Sequence, residues 1–158
     1  MNINGRFTID APVEQVWDVF MDAEKLASCV PGAERITMTS PNKYEADMVV
    51  KVQFMTLKFA AEGELKEAVP MSSLQVEMTG QAHALAGLFR NRMQVTLEPM
   101  SDHVTSIIYQ MDMQLTGRLA SLGMILVKGT VTKTAEQFAT NVKLLFETGR
   151  NDGGHAAG

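Results

Sequence analysis

Seven stretches of the chain alternate apolar and polar residues, and one later stretch repeats its apolar residues at helical spacing. Alternation places every second side chain on the same face of a β-strand, whereas apolar residues three and four positions apart share one face of a helix. The first alternating stretch runs from Ile3 to Ile9 and the seventh ends at Leu115. Each stretch has a single apolar face, so the predicted sheet covers a core on one side and faces water on the other.

The connections after the second predicted strand are short and rich in turn residues, which predicts antiparallel hairpins. Two short helical patterns separate the first strand from the second, at about residues 13–20 and 23–28. The last pattern predicts one long helix from Gly117 to about Glu147, with an apolar stripe formed by Leu119, Leu122, Leu126, Phe138, Val142 and Leu145. We therefore predict an α+β fold in one domain, residues 1–148, with a curved seven-stranded antiparallel sheet and the long helix over its concave face. Residues 149–158 are predicted to form a disordered tail.

Charge and cysteine content exclude several function classes. The chain has 14 Lys and Arg against 18 Asp and Glu, a net charge of -4, and a protein of this charge without a basic cluster is a poor nucleic-acid binder. The single cysteine, Cys29, excludes an internal disulfide and a multi-cysteine metal site. Since no apolar run reaches 18 residues and the first residues lack the apolar segment of a signal peptide, we expect a cytoplasmic protein.

Four segments resemble the CoxG family of carbon monoxide dehydrogenase proteins: Cys29-Val30-Pro31-Gly32-Ala33-Glu34, Tyr44-Glu45-Ala46, Gly117-Arg118-Leu119-Ala120-Ser121-Leu122-Gly123 and Thr134-Ala135-Glu136-Gln137-Phe138. The similarity spans about residues 1–147, and the element order is similar to that of the helix-grip START/Bet v 1-like (SRPBCC) superfamily. The resemblance implies an accessory protein of molybdenum hydroxylases and dehydrogenases. It also implies docking of such an enzyme at the inner face of the cytoplasmic membrane, and a bound quinone or lipid rather than a covalent cofactor.

The inward strand faces suggest a cavity for a lipophilic molecule. Methionine is flexible and polarizable and lines sites that accept varied apolar ligands, while Asn91 and Tyr109 could orient a ligand by hydrogen bonding. The predicted cavity residues are Met48, Val50, Phe59, Met78, Asn91, Met93, Tyr109, Met111, Met113, Leu122 and Leu126. Gly117, Gly123 and Gly129 would leave room for a guest beneath the helix or, equally, would only allow the helix to pack closely on the sheet. The alternatives are that the methionines only fill a core and that the two polar groups bond each other, the backbone or water.

One end of the predicted sheet has unusually apolar loops. We expect Phe54, Met55, Leu85 and Leu88 to form a rim at the cavity mouth that contacts a membrane or a partner protein. Arg118 lies near the same mouth and could bind an anionic headgroup, or could be an ordinary surface arginine. Alternatively, the apolar rim residues fold inward and close the cavity.

These patterns favour a non-enzymatic carrier or adaptor. The inward positions contain no Asp, Glu, His or Lys, and none of the three histidines has metal-ligand spacing, so we predict neither catalytic residues nor a metal site. Two alternatives remain: an enzyme of the polyketide cyclase or isomerase type, or a protein-interaction module with a filled core. A shift of the strand phase by one residue would turn Asp47, Glu62 or Asp112 inward and would favour the enzyme.

Overall fold

The computed structural model describes residues 1–157, with side chains described for residues 1–147. Its elements, in chain order, are β1 (Asn2–Ile9), α1 (Val13–Met21), α2 (Ala23–Cys29), β2 (Ala33–Ser40), β3 (Lys43–Val52), β4 (Met55–Val69), β5 (Ser73–Ala82), β6 (Leu88–Pro99), β7 (Thr105–Leu115), α3 (Gly117–Ala120) and α4 (Met124–Ala157).

All seven strands form one antiparallel sheet in the order β1-β7-β6-β5-β4-β3-β2. Strands β2 to β7 follow one another as hairpins, and β1 joins the far edge beside β7. Register shifts in β2 and near Leu65 of β4 bend these strands. Helix α4 contacts both β1 and β3. The α+β helix-grip architecture predicted from the sequence is confirmed.

The strand register confirms the predicted phase of the inward faces. Asp47 lies on the face of the sheet away from α4, where its carboxylate is 3.2 Å from the Arg35 guanidinium. Asp112 lies on the same outer face, 3.7 Å from the amino terminus, and Glu62 is exposed beside Glu45. The one-residue shift that would turn these carboxylates inward does not occur.

The prediction of one unbroken helix from Gly117 is wrong at its start. Helix α3 ends at Ala120, and α4 begins only at Met124, after a residue with left-handed backbone, Gly123 (φ 95°). The spacing of Leu119, Leu122 and Leu126 is helical on both sides of the break, so periodicity alone could not reveal it. The idea that three glycines make room beneath the helix is also wrong. Gly117 and Gly123 precede α4. Gly129 is exposed, and no atom of the residues whose side chains are described would lie within 4 Å of a Cβ added there.

Helix α4 runs to Ala157, past the domain boundary predicted at residue 148. The predicted tail, residues 149–158, lies beyond the last side chain that the structure describes. Its assignment as a disordered tail therefore stays a prediction.

Two separate clusters of buried side chains hold the helices to the sheet. The large core cluster packs α1, α2 and the second half of α4 on β1 and on strands β5 to β7, around buried Trp17, Phe20, Ile107 and Val142. The small core cluster joins α3 and the first turns of α4 to strands β3, β4 and β5, around Leu57, Phe59 and Leu119. No helix among the described residues is long and apolar enough to cross a membrane.

Candidate functional site

A stretch of the sheet between the two core clusters forms the candidate site. Ala61, Asn91 and Met113 are buried there, together with Val127 and Ala135 of α4, yet none belongs to either cluster. The register places Met78, Asn91 and Met113 side by side across β5, β6 and β7. We call this region the central interval; it consists of Ala61, Met78, Asn91, Met111, Met113, Val127 and Ala135.

Asn91 is the buried polar side chain of the central interval. It is 7% exposed, and its Nδ2 donates to the Met111 Sδ at 3.5 Å, while its Oδ1 has no hydrogen-bond partner within residues 1–147. A thioether sulfur is a weak hydrogen-bond acceptor. Rotating the amide by 180° would point its oxygen at the sulfur and leave the NH2 group unpaired instead, so one polar atom stays unpaired in either orientation. Leaving such a group unpaired costs about 1–3 kcal/mol. Asn91 is therefore a polar group that a bound molecule could satisfy.

Tyr109 lies one sheet row beyond Met111 and packs against the large core cluster. Its ring is 6.4 Å from that of Phe7 and covers Gly5, where a side chain would collide with the Tyr109 hydroxyl. Burial, and secondly the Glu136 carboxylate, raises the pKa of Tyr109. The hydroxyl therefore stays protonated and can donate a hydrogen bond.

The predicted cavity residues divide among three regions. Met48, Val50, Phe59, Leu122 and Leu126 belong to or pack against the small core cluster, and Met93 and Tyr109 pack against the large one. Only Met78, Asn91, Met111 and Met113 lie in the central interval. The structure therefore narrows the candidate site to one amide and three methionines.

One of the predicted rim residues is packed inward and the others are exposed. Leu85 packs against the small core cluster, as the inward-folding alternative expects. Phe54 is fully exposed at the tip of the β3–β4 turn, and Met55, Leu88 and Arg118 are exposed as well. Sequence reasoning missed Met124 and Ile125, which are 68% and 91% exposed at the start of α4, because it placed them inside a longer helix.

A surface cleft of about 550 Å³ lies beside α4 and was not predicted. It is lined by Pro31, Lys133, Glu136, Gln137, Thr140 and Asn141. The Asn141 Nδ2 donates to the Cys29 carbonyl at 3.0 Å and ties α4 to the end of α2. Two segments on which the family resemblance rests, residues 29–34 and 134–138, thus meet here. A smaller cleft of about 250 Å³ lies on the acidic outer face of the sheet, around Glu62, Glu64 and Glu77.

Cys29 is a buried side chain at the end of α2, which agrees with a structural role. It is 2% exposed, and burial raises the pKa of its thiol more than the neighbouring Ser28 hydroxyl lowers it. A raised pKa reduces the thiolate fraction at pH 8, and only the thiolate is nucleophilic. Within residues 1–147, no three His, Cys, Asp or Glu side chains lie close enough to hold a metal ion.

We expect native Cys29 to react with iodoacetamide at pH 8 at least tenfold more slowly than the same thiol in urea-unfolded protein. The measurement is mass spectrometry of the alkylated fraction against time, and the unfolded chain supplies its own control because it has a single cysteine. Equal rates in the two states would contradict the structural role.

Comparison with known proteins agrees with the fold described above. The family model described as the CoxG subunit of carbon monoxide dehydrogenase matches residues 5–145. A conserved protein from Geobacillus kaustophilus superposes with a TM-score of 0.87 at 22% identity, covering 94% of this chain and 96% of its own. A START superfamily protein from Mycobacterium smegmatis gives a TM-score of 0.71 at 14% identity, covering 93% and 97% of the two chains.

An enzyme is also among the similar structures. The ZhuI aromatase/cyclase from Streptomyces sp. R1128 superposes with a TM-score of 0.70 at 13% identity, covering 93% of each chain. At such identities these likenesses show the fold alone. No curated protein matches the chain in sequence.

Proposed function

Because the chain belongs to the CoxG family of carbon monoxide dehydrogenase proteins, we propose that it is a non-enzymatic accessory protein that carries a lipophilic molecule between the sheet and α4. The cargo is a quinone or a lipid. The protein assists or recruits a molybdenum dehydrogenase of the CO dehydrogenase type at the inner face of the cytoplasmic membrane.

The observation that carries this proposal is the unpaired amide of Asn91 among methionines. An apolar pocket with one or two polar groups that set orientation is the usual form of a small-molecule site. Met78, Met111 and Met113 can adjust their rotamers to a guest, which rigid branched side chains cannot do as readily. Affinity would come from buried apolar area, at about 25 cal/mol per Å².

A quinone suits this amide in both of its oxidation states. The carbonyl of a quinone can accept from Nδ2, and the hydroxyl of the reduced quinol can donate to Oδ1. One side chain can therefore hold the cargo before and after two-electron reduction. This property suits a carrier that serves an oxidoreductase.

The enzyme alternative has less support. A cyclase needs an acid or base near its substrate. Among the described residues, no inward position on the seven strands holds Asp, Glu, His or Lys, and Glu136 of α4, whose carboxylate acts on Tyr109, is exposed. The protonated Tyr109 is the strongest proton donor on these faces.

We expect Asn91→Leu to weaken binding of decylubiquinone about tenfold, because it removes one hydrogen bond that contributes about 1.4 kcal/mol to the binding free energy. The same substitution should raise the free energy of unfolding of the empty protein, because it removes an unpaired buried polar group. Quenching of Trp17, the only tryptophan, reports binding, and urea titration reports stability.

The matched control is Gln94→Leu, which removes an amide from the exposed outer face of the same strand. It should leave decylubiquinone binding unchanged. Native mass spectrometry of protein from quinone-containing cells, followed by organic extraction, identifies the cargo. A clean apo mass together with no quenching by added decylubiquinone would contradict the carrier and favour a filled-core interaction module.

A further inference from the structure

One end of the molecule brings together three connections that are distant in sequence. We call it the loop end; it comprises residues 51–58 around the β3–β4 turn, residues 83–90 between β5 and β6, and residues 116–128 from the end of β7 to the start of α4. Backbone hydrogen bonds join these connections: the His83 amide donates to the Lys58 carbonyl at 2.9 Å, and the Arg118 amide donates to the Ala86 carbonyl at 2.6 Å. The small core cluster lies directly behind them. The loop end is therefore one continuous surface rather than three independent loops.

The loop end exposes large apolar side chains. Phe54 is fully exposed, Ile125 and Met124 are largely exposed, and Met55 and Leu88 are about 40% exposed. Exposed phenylalanine and isoleucine side chains clustered on one face of a folded protein are typical of contacts with partners or membranes.

The loop end is also positively charged in a protein with a net charge of -4. Five basic side chains are exposed there: Lys51, Lys58, Arg90, Arg118 and Lys128. Residues 48–61, 78–97 and 113–135, which contain it, include no Asp or Glu at all. Within residues 1–147, none of the five forms a salt bridge.

The opposite end of the sheet lacks this excess of cations. Its turns also expose apolar residues, among them Met71 and Met100, with Glu67, Glu98 and Asp102 beside them in sequence. Lys43 and Lys66 lie near the same turns, and Glu98 is 3.8 Å from Arg6, so this end carries both signs of charge. An anionic surface would therefore attract the loop end more strongly than the opposite end. The charge distribution therefore both attracts the protein to an anionic surface and orients it with the loop end towards that surface.

We propose that the loop end docks on the surface of an anionic phospholipid bilayer. Phe54, Met124 and Ile125 enter the headgroup region, and the five exposed cations contact lipid phosphates. Apolar insertion and attraction to anionic lipids add in this mode of binding. This docking rests on the membrane location in the proposed function and assigns it to one surface, whereas it is independent of whether the central interval carries a quinone.

The test is co-sedimentation with vesicles of phosphatidylcholine alone and with vesicles containing 30% phosphatidylglycerol. The full chain should bind the second kind and not the first, and 0.5 M NaCl should release it. Lys51→Gln combined with Lys58→Gln should weaken binding about 30-fold, because each cation near an anionic surface contributes about 1 kcal/mol. Phe54→Ser combined with Ile125→Ser should weaken it at least tenfold.

The matched control is Met71→Ser combined with Met100→Ser, which removes exposed apolar side chains from the opposite end of the sheet. It should bind like the unchanged protein. Equal binding to both kinds of vesicle, or an equal loss in the control, would overturn the proposal, because neither the charge nor the apolar residues of the loop end would then direct the binding. Absence of binding to the anionic vesicles would overturn it and favour an acidic protein surface as the partner. Met78→Trp, which should exclude cargo from the central interval, should still bind the vesicles, so failure of the carrier and failure of docking are distinguishable.

Discussion

Replacing Ile107 with alanine is expected to lower the free energy of unfolding by about 2–5 kcal/mol. Ile107 is 1% exposed in the large core cluster, where it faces Phe7 and Leu97 across the neighbouring strands. Removing three carbon atoms there leaves a cavity that close-packed neighbours fill only in part. Urea unfolding followed by circular dichroism measures the loss.

The neighbouring residue gives a matched control for this substitution. Ile108 is the same residue type on the same strand, but it points to the outer face and is only half-buried. Ile108→Ala should cost less than about 1 kcal/mol, in the range of partly exposed sites. Equal losses at both positions would mean that the strand phase is wrong.

Two glycine-to-alanine substitutions should change stability in opposite directions. Gly87 has φ 146° and sits against the backbone of Thr116 and Leu119, so Gly87→Ala should cost about 3 kcal/mol. Gly129 lies within α4 with open space beside it, so Gly129→Ala should add about 1 kcal/mol. Thermal unfolding measures both effects, and each kcal/mol should shift the midpoint temperature by about 2–4 °C.

Each of these variants is a control for the other, because both add a single methyl group. If Gly87→Ala were neutral, the close contact between the β5–β6 connection and α3 would be wrong. A destabilising Gly129→Ala would mean instead that this position of α4 packs against something.

The strand content of the fold was predictable because alternation is a local signal. Each hairpin strand repeats apolar residues at every second position, as Met48, Val50 and Val52 of β3 illustrate. The face that carries them is buried over most of the sheet, although Met38 on the edge strand β2 is 62% exposed. The antiparallel pairing followed from the short turns, whereas the register shifts in β2 and β4 were not predicted. For the same reason, Asn91 could be placed on the inward face without knowledge of its neighbours.

The parts of the site that were missed depend on contacts distant in sequence. The break at Gly123 leaves the leucine spacing intact, and only the backbone conformation reveals it. The cleft between Pro31 and Asn141 joins residues 110 positions apart that look like ordinary surface positions. The positive charge of the loop end appears only when three separate acid-free segments are brought together.

The division of the core into two clusters implies that amide hydrogens should exchange with solvent in two stages. The small core cluster has five buried residues and holds α3 and the first turns of α4, whereas the large one has eleven. A unit held by fewer buried contacts opens at a lower free energy, without global unfolding. The amides of Leu122 and Val127, which donate to the carbonyls of Leu119 and Gly123, should therefore exchange well before that of Val142. Such partial opening would expose the central interval from the loop end while the rest of the protein stays folded.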